Sequence, residues 1–105
     1  MIFGRGRFGE LVRRQLDLFA EDEAGLLAEA DELERAYDEA EREGAEEAYG
    51  DLQLVYEAIV ERLEHVRDRY ALTLEDDDTR IDYERAFDRA ARRRYPRSFG
   101  STSRP

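Results

Sequence analysis

The chain has 105 residues, of which 41% are hydrophobic and 42% charged, with a formal net charge of -10 and no cysteine. This length suits one domain with a modest core, and the lack of cysteine excludes disulfides, thiolate metal sites and cysteine nucleophiles. No apolar run has the length of a signal peptide or of a membrane-spanning helix, so the sequence predicts a soluble cytoplasmic protein with no membrane partner.

Charge is unevenly distributed along the chain. Residues 1–14 carry a net charge of +3 and residues 79–105 carry +5, whereas residues 15–47 carry -12 and residues 48–78 carry -6. All 17 basic residues are arginine, which we interpret as the codon usage of a GC-rich, bacterial-like genome. An acidic middle between basic ends bears on partners and solubility rather than on the fold.

The first predicted element is a long helix over residues 8–43. Its apolar residues recur at alternating spacings of four and three, which is typical of a helix packed lengthwise against another. Glu23 interrupts this row of apolar residues, which we call the first seam, and Gly25 weakens a helix. Two shorter helices with a break near Asp22–Gly25 are therefore the alternative to one long helix. Because the seam resumes in phase after Glu23, the pattern favours one continuous helix. The seam comprises Phe8, Val12, Leu16, Phe19, Leu26, Ala30, Leu33, Tyr37 and Ala40.

A second helix is predicted over residues 47–72, after the glycines Gly44 and Gly50. It repeats the same spacing of apolar residues. Two matching seams joined by a short turn predict a long antiparallel helical hairpin. The second seam comprises Leu52, Tyr56, Ile59, Leu63, Val66 and Tyr70.

A shorter third helix is predicted over residues 79–95. Asp76–Asp78 form a solvated connection before it, and Thr79 with Asp82 makes a capping box at its start. Pro96 ends the helix, because proline lacks the next backbone donor. The sequence therefore predicts a single helical domain over residues 1–95 and a flexible tail over residues 96–105.

Both long helices carry apolar residues outside their seams. A two-helix hairpin leaves such residues uncovered, and the third helix hides only part of them through Tyr83 and Phe87. The fold class expected is therefore all-α, with a dimeric helical bundle as its assembly. The expected self-association surface comprises Leu11, Leu18, Leu27, Val55 and Val60.

The third helix has arginines opposite its apolar side. At 100° per residue, Arg85, Arg89, Arg92 and Arg93 form an outward stripe that Arg94, Arg97 and Arg104 extend. A solvated charged face is the simplest interpretation. The functional interpretation is a contact with an acidic surface, on a second copy or on another protein. Nucleic acid is disfavoured because the acidic middle repels phosphates and few aromatics interleave with the arginines.

Catalytic and metal-binding patterns are weak. The single histidine, His65, lies four residues after Glu61, but both face outward relative to Ile59 and Leu63, so a solvated pair is the favoured interpretation. No nucleophile or phosphate-loop motif occurs. We expect no enzyme, no catalytic residue and no cofactor. The function expected is protein–protein interaction or assembly; the alternatives are a nucleic-acid-associated regulator and, third, a carboxylate-rich metal-binding bundle.

Overall fold

The computed structural model describes residues 6–40 and 42–103, and the side chains up to residue 100. This part of the chain is all-α, with no strand and five helices. They are α1 (Gly9–Asp22), α2 (Ala24–Glu39), α3 (Arg42–Ala71), α4 (Asp77–Arg94) and α5 (Pro96–Ser103).

The long first helix predicted over residues 8–43 is two helices, α1 and α2. Glu23 separates them with φ -109° and ψ 30°, which lies outside the α-helical region. The Glu23 N–H still donates to the Phe19 carbonyl at 2.8 Å, and the Glu23 carbonyl accepts from Leu27 at 3.0 Å, so the break keeps its hydrogen bonds. The physical reason is tertiary: α1 packs against α4 whereas α2 packs against α3, and one straight helix does not follow both.

Helices α2 and α3 run antiparallel, as their side-chain pairs show. Glu23, just before α2, binds Arg62 at 2.5 Å, and the Tyr56 hydroxyl donates to Glu34. The rings of Tyr37 and Tyr49 lie 5.8 Å apart near the connection. The α3 side of this contact is strongly buried: Leu52, Val55, Tyr56, Ile59 and Leu63 are all at most 7% exposed.

Helix α4 begins two residues earlier than expected and uses a different cap. The Asp76 carboxylate accepts from both the backbone N–H and the hydroxyl of Thr79, each at 2.9 Å. Asp76 is extended, with ψ 128°, and this conformation places its carboxylate over the first turn. The cap is therefore Asp76, and the predicted capping box starting at Thr79 is wrong. These hydrogen bonds, chiefly the backbone one, hold the pKa of Asp76 below its usual value.

The tail predicted as flexible contains a fifth helix. Pro96 ends α4 as expected, but it is also the first residue of α5, a position where proline loses no hydrogen bond and where its fixed φ favours the helix. Tertiary contacts then hold α5 in place, since Ser98 is only 4% exposed and Phe99 packs against the core. Arg97 adds an ion pair with Glu34 of α2 at 3.3 Å.

Candidate functional site

A groove runs between α1 and α4. Its main cavity measures about 400 Å³ and is walled by small or apolar side chains and by arginines. A second cavity of about 330 Å³ continues it toward Phe8 and shares Ala86 and Arg89 with the first. We call the main cavity the Arg groove. It is lined by Gly9, Val12, Arg13, Leu16, Ala86, Arg89, Ala90, Arg93 and Arg94.

Aromatic and polar contacts fix α1 against α4 beneath the groove. The Tyr83 hydroxyl, in a residue with no exposed surface, donates to the Gln15 side-chain oxygen at 2.9 Å. The Phe8 ring meets the Tyr83 ring edge-on at 5.4 Å. At the other end Arg94 binds Asp17 at 2.7 Å. These contacts span most of the chain in sequence, so the groove is a tertiary feature.

The floor of the Arg groove is apolar and well packed. Val12 and Leu16 of α1 are each 2% exposed, so they belong to the core and only the groove gives access to them. Ala86 and Ala90 of α4 are half-buried beside them. Because alanine side chains are short, the α4 wall is low, and a bulky side chain from outside has room above it.

The arginines of the groove differ in how far they are neutralised. Arg13 binds Glu10 and Asp17, and Arg94 also binds Asp17. Arg89 and Arg93 are exposed and make no ion pair within residues 6–40 and 42–103. The groove therefore presents two uncompensated positive charges directly above an apolar floor.

The four arginines singled out in the sequence are all exposed, but they do not share one surface. Arg89 and Arg93 line the Arg groove, and Arg85 lines the adjoining cavity with Arg7 and Asp82. Arg92 instead stacks over the Phe99 ring, with 4.8 Å between the guanidinium carbon and the ring centroid. That cation–π contact joins α4 to α5, so Arg92 stands apart from the other three.

Two arginines assigned to the outward stripe turn toward the acidic helices. Arg94 pairs with Asp17 of α1, and Arg97 pairs with Glu34 of α2. Both side chains are nonetheless exposed, and Arg94 also lines the Arg groove beside Arg89 and Arg93, whereas Arg104 lies outside the described residues. The sequence predicted a tail over residues 96–105, whereas Pro96 begins α5, which packs mainly against α3 and brings Arg97 to Glu34.

The apolar residues proposed for self-association are largely covered within one chain. Val55 is core at 7% exposure, and Leu11 and Leu27 pack against the core. Val60 is half-buried, and only Leu18 is well exposed, at 58%. The reason is that five helices, not three, contribute to the core, so these residues do not form one free surface.

The side chains that line the Arg groove are arginine or apolar, apart from Gly9. Arginine stays protonated throughout the physiological range, and the rest of the main cavity is glycine, alanine, valine and leucine. No side chain of the main cavity therefore exchanges a proton near neutral pH. The buried tyrosines are not activated either: burial raises the pKa of Tyr83 to about 12, and burial with the Glu34 hydrogen bond raises the pKa of Tyr56 above its usual value.

His65 lies exposed on α3. Across the part of the chain that the structure describes, no cluster of three or more histidine, aspartate or glutamate side chains is placed to hold a metal ion. In the same residues no helix combines the length and apolar character required to cross a bilayer.

The sequence did not identify the groove as a site. Its basic rim was recognised on α4, but its floor residues Val12 and Leu16 were assigned to a seam facing the second helix. Only the pairing of α1 with α4 brings an arginine face and the seam residues Val12 and Leu16 together at one groove. Comparison of the chain with protein-family models, with curated proteins and with solved structures finds no match.

Proposed function

We propose that this protein is a non-enzymatic helical module for protein–protein interaction or assembly, and that the Arg groove is its contact surface. One observation carries the proposal. Arg89 and Arg93 form no ion pair with any described residue, and they lie above the floor formed by Val12 and Leu16. Arginine is enriched among the residues that dominate the binding energy of protein interfaces, and the buried centre of an interface is more apolar than its rim.

The groove indicates the chemistry of its partner. Apolar side chains of the partner fill the space above Ala86 and Ala90, and carboxylates beside them meet Arg89 and Arg93. A helix with apolar residues flanked by acids offers both groups on one face. Phosphate alone satisfies the arginines and leaves the floor unused, so a protein partner explains more of the site.

The arrangement of the whole chain is part of the proposal. We regard the α2–α3 pair as an antiparallel hairpin on which α4 forms the third helix of the domain, and we propose a homodimeric bundle as its assembled form. The support is that an open groove with an apolar floor remains between α1 and α4.

Site-specific photo-cross-linking in the expressing cell tests the proposed function. A photoreactive amino acid replaces Ala86 in the groove, and a matched variant carries it at Ala28, which is exposed on α2. We expect discrete protein adducts from the groove position and none from the control. Adducts equally abundant from both positions, or none from the groove, contradict the proposal.

Nucleic-acid binding is the second candidate, and one observation favours it: Arg7, Arg85 and Arg89 line the adjoining cavity together. It predicts retention on duplex or single-stranded nucleic acid near physiological salt, lost when Arg85, Arg89, Arg92 and Arg93 become glutamine. The protein-partner proposal predicts no retention, since the chain carries a net charge of -10 and most of its surface repels phosphates.

A further inference from the structure

The outer side of α3 carries a surface that complements the Arg groove. Leu54 is 66% exposed although it lies in the middle of a long helix. Ala58 is half-buried one turn later, and acids stand on either side. We call this surface the α3 acidic face. It comprises Asp51, Leu54, Glu57, Ala58 and Glu61.

The acids of this face are as uncompensated as Arg89 and Arg93 of the groove. Asp51, Glu57 and Glu61 are exposed, and none makes an ion pair or a side-chain hydrogen bond with another described residue. The neighbouring acid Glu23, by contrast, is held by Arg62. One chain therefore displays three unpaired acids around an apolar centre, and two unpaired arginines, Arg89 and Arg93, at the edge of an apolar floor.

We infer that two copies of this chain associate by placing the α3 acidic face of each on the Arg groove of the other. This inference rests on the proposed function and names its partner. In a two-fold dimer the contact occurs twice, because each copy offers both surfaces. Glu57 and Glu61 then meet Arg89 and Arg93, and Leu54 enters above the groove floor.

The spacing of the groups on the two surfaces agrees. Glu57 and Glu61 are one helical step of four residues apart, as are Arg89 and Arg93, so both pairs are separated by about 6 Å along their helix axes. The apolar pair Leu54 and Ala58 has this same spacing, and so do the floor pairs of the groove. Around the α3 axis Glu57 lies about 60° to one side of Leu54, and Asp51 lies about 60° to the other.

Self-docking explains features that a foreign acidic partner leaves unexplained. Leu54 lies outside the core cluster of the single chain, and charge is unevenly distributed between α3 and α4. Dimerisation covers Leu54 and neutralises both patches in one step. The contact also has to overcome the net charge of -10 on each copy, and local pairing of opposite charges contributes to this.

Sedimentation equilibrium with charge-reversed variants tests the inference. The wild-type chain of 12.3 kDa is expected to show about twice that mass at micromolar concentration. Two charge-reversed variants are compared: the groove variant carries R89E with R93E, and the face variant carries E57R with E61R. Each is expected to weaken dimerisation by about tenfold or more, because like charges then face each other. An equimolar mixture of the two variants restores the dimer, since both contacts of the mixed pair again join opposite charges.

The control variant is R35E with R42E, which makes the same change in net charge as the groove variant at exposed arginines away from both surfaces. It is expected to dimerise like the wild type. Far-ultraviolet circular dichroism confirms that each variant is folded, and the milder pair R89Q with R93Q replaces the reversal if it is not.

A wild-type chain that stays monomeric overturns the inference, as does a dimer that neither reversal weakens or that the mixture fails to restore. Cross-links from the groove to a different protein, together with a monomeric chain, remove the self-docking inference and the homodimeric bundle, and leave standing the proposal that the groove is a contact surface for another protein. The absence of any groove cross-link removes the proposed function itself.

Discussion

Replacing Leu63 with alanine is expected to be among the most damaging single truncations in α3. Leu63 is 1% exposed and lies in the continuous core with Phe87 and Ile59. The same helix provides a matched control in Leu54, which is chemically identical and 66% exposed. Leu63→Ala and Leu54→Ala therefore remove the same atoms from opposite sides of one helix.

The magnitude follows from burial. A fully buried leucine loses about 2–5 kcal/mol of unfolding free energy on truncation to alanine, because the transfer energy of its carbons is lost and a cavity remains. Unfolding entropy near 2.1 cal/mol/K per residue gives about 0.2 kcal/mol/K for a chain of this length, so Leu63→Ala is expected to lower Tm by about 10–20 °C. Leu54→Ala, at the surface, is expected to change stability by about 0.5 kcal/mol or less.

Urea and thermal unfolding followed by circular dichroism measure both changes. The variants are compared at one low protein concentration, because any assembly adds to apparent stability. Leu33→Ala serves as a graded control, since Leu33 is half-buried and should lose less than Leu63. Equal losses for the two α3 leucines, or a loss below about 1 kcal/mol at Leu63, would show that the inner and outer sides of α3 are assigned wrongly.

Three further predictions concern single contacts. Burial raises the pKa of Tyr83 from 10.0 to about 12, so its contribution is complete below pH 10 and is lost as pH rises toward 12. The free energy of unfolding should therefore fall by up to about 3 kcal/mol as pH rises through this range. Tyr83→Phe should make this decrease with pH smaller. Asp76→Ala removes the α4 cap, and since the pKa of Asp76 is lowered, the Tm difference from wild type should shrink as pH falls below 3.8. Glu34→Gln removes the ion pair to Arg97 and should speed amide hydrogen exchange in α5 (Pro96–Ser103) without unfolding the protein.

The all-α class follows from local sequence, and the arrangement of the helices does not. The four-three spacing around Leu52, Ile59 and Leu63 is a property of one helix, and it correctly identified the buried side of α3. The break at Glu23 depends on where α1 and α2 pack. Because the apolar seam stays in phase across Glu23, nothing local distinguishes a bent helix from a straight one.

The sequence predicted the α4 side of the candidate site and not the α1 side. Arg89 and Arg93 were correctly placed on the exposed side of α4, since helical phase fixes that side once Tyr83 and Phe87 are buried. Their partners in the groove come from α1, about 75 residues earlier in the chain, and helical periodicity does not reveal which helices are neighbours. Helix α5 was missed for a related reason, because Pro96 is compatible with both the end of one helix and the start of the next.

Intermolecular paramagnetic relaxation tests most directly whether the α3 acidic face of one copy lies on the Arg groove of another. The chain contains no cysteine, so Glu64→Cys carries a single spin label beside the face, and Glu32→Cys carries it on exposed α2 as the control. Labelled protein is mixed with unlabelled protein that is enriched in nitrogen-15. The account predicts that the Glu64 label broadens the amide signals of Ala86 and Ala90 and that the Glu32 label leaves them sharp. Sharp signals with both labels, or broadening confined to other helices, would contradict it.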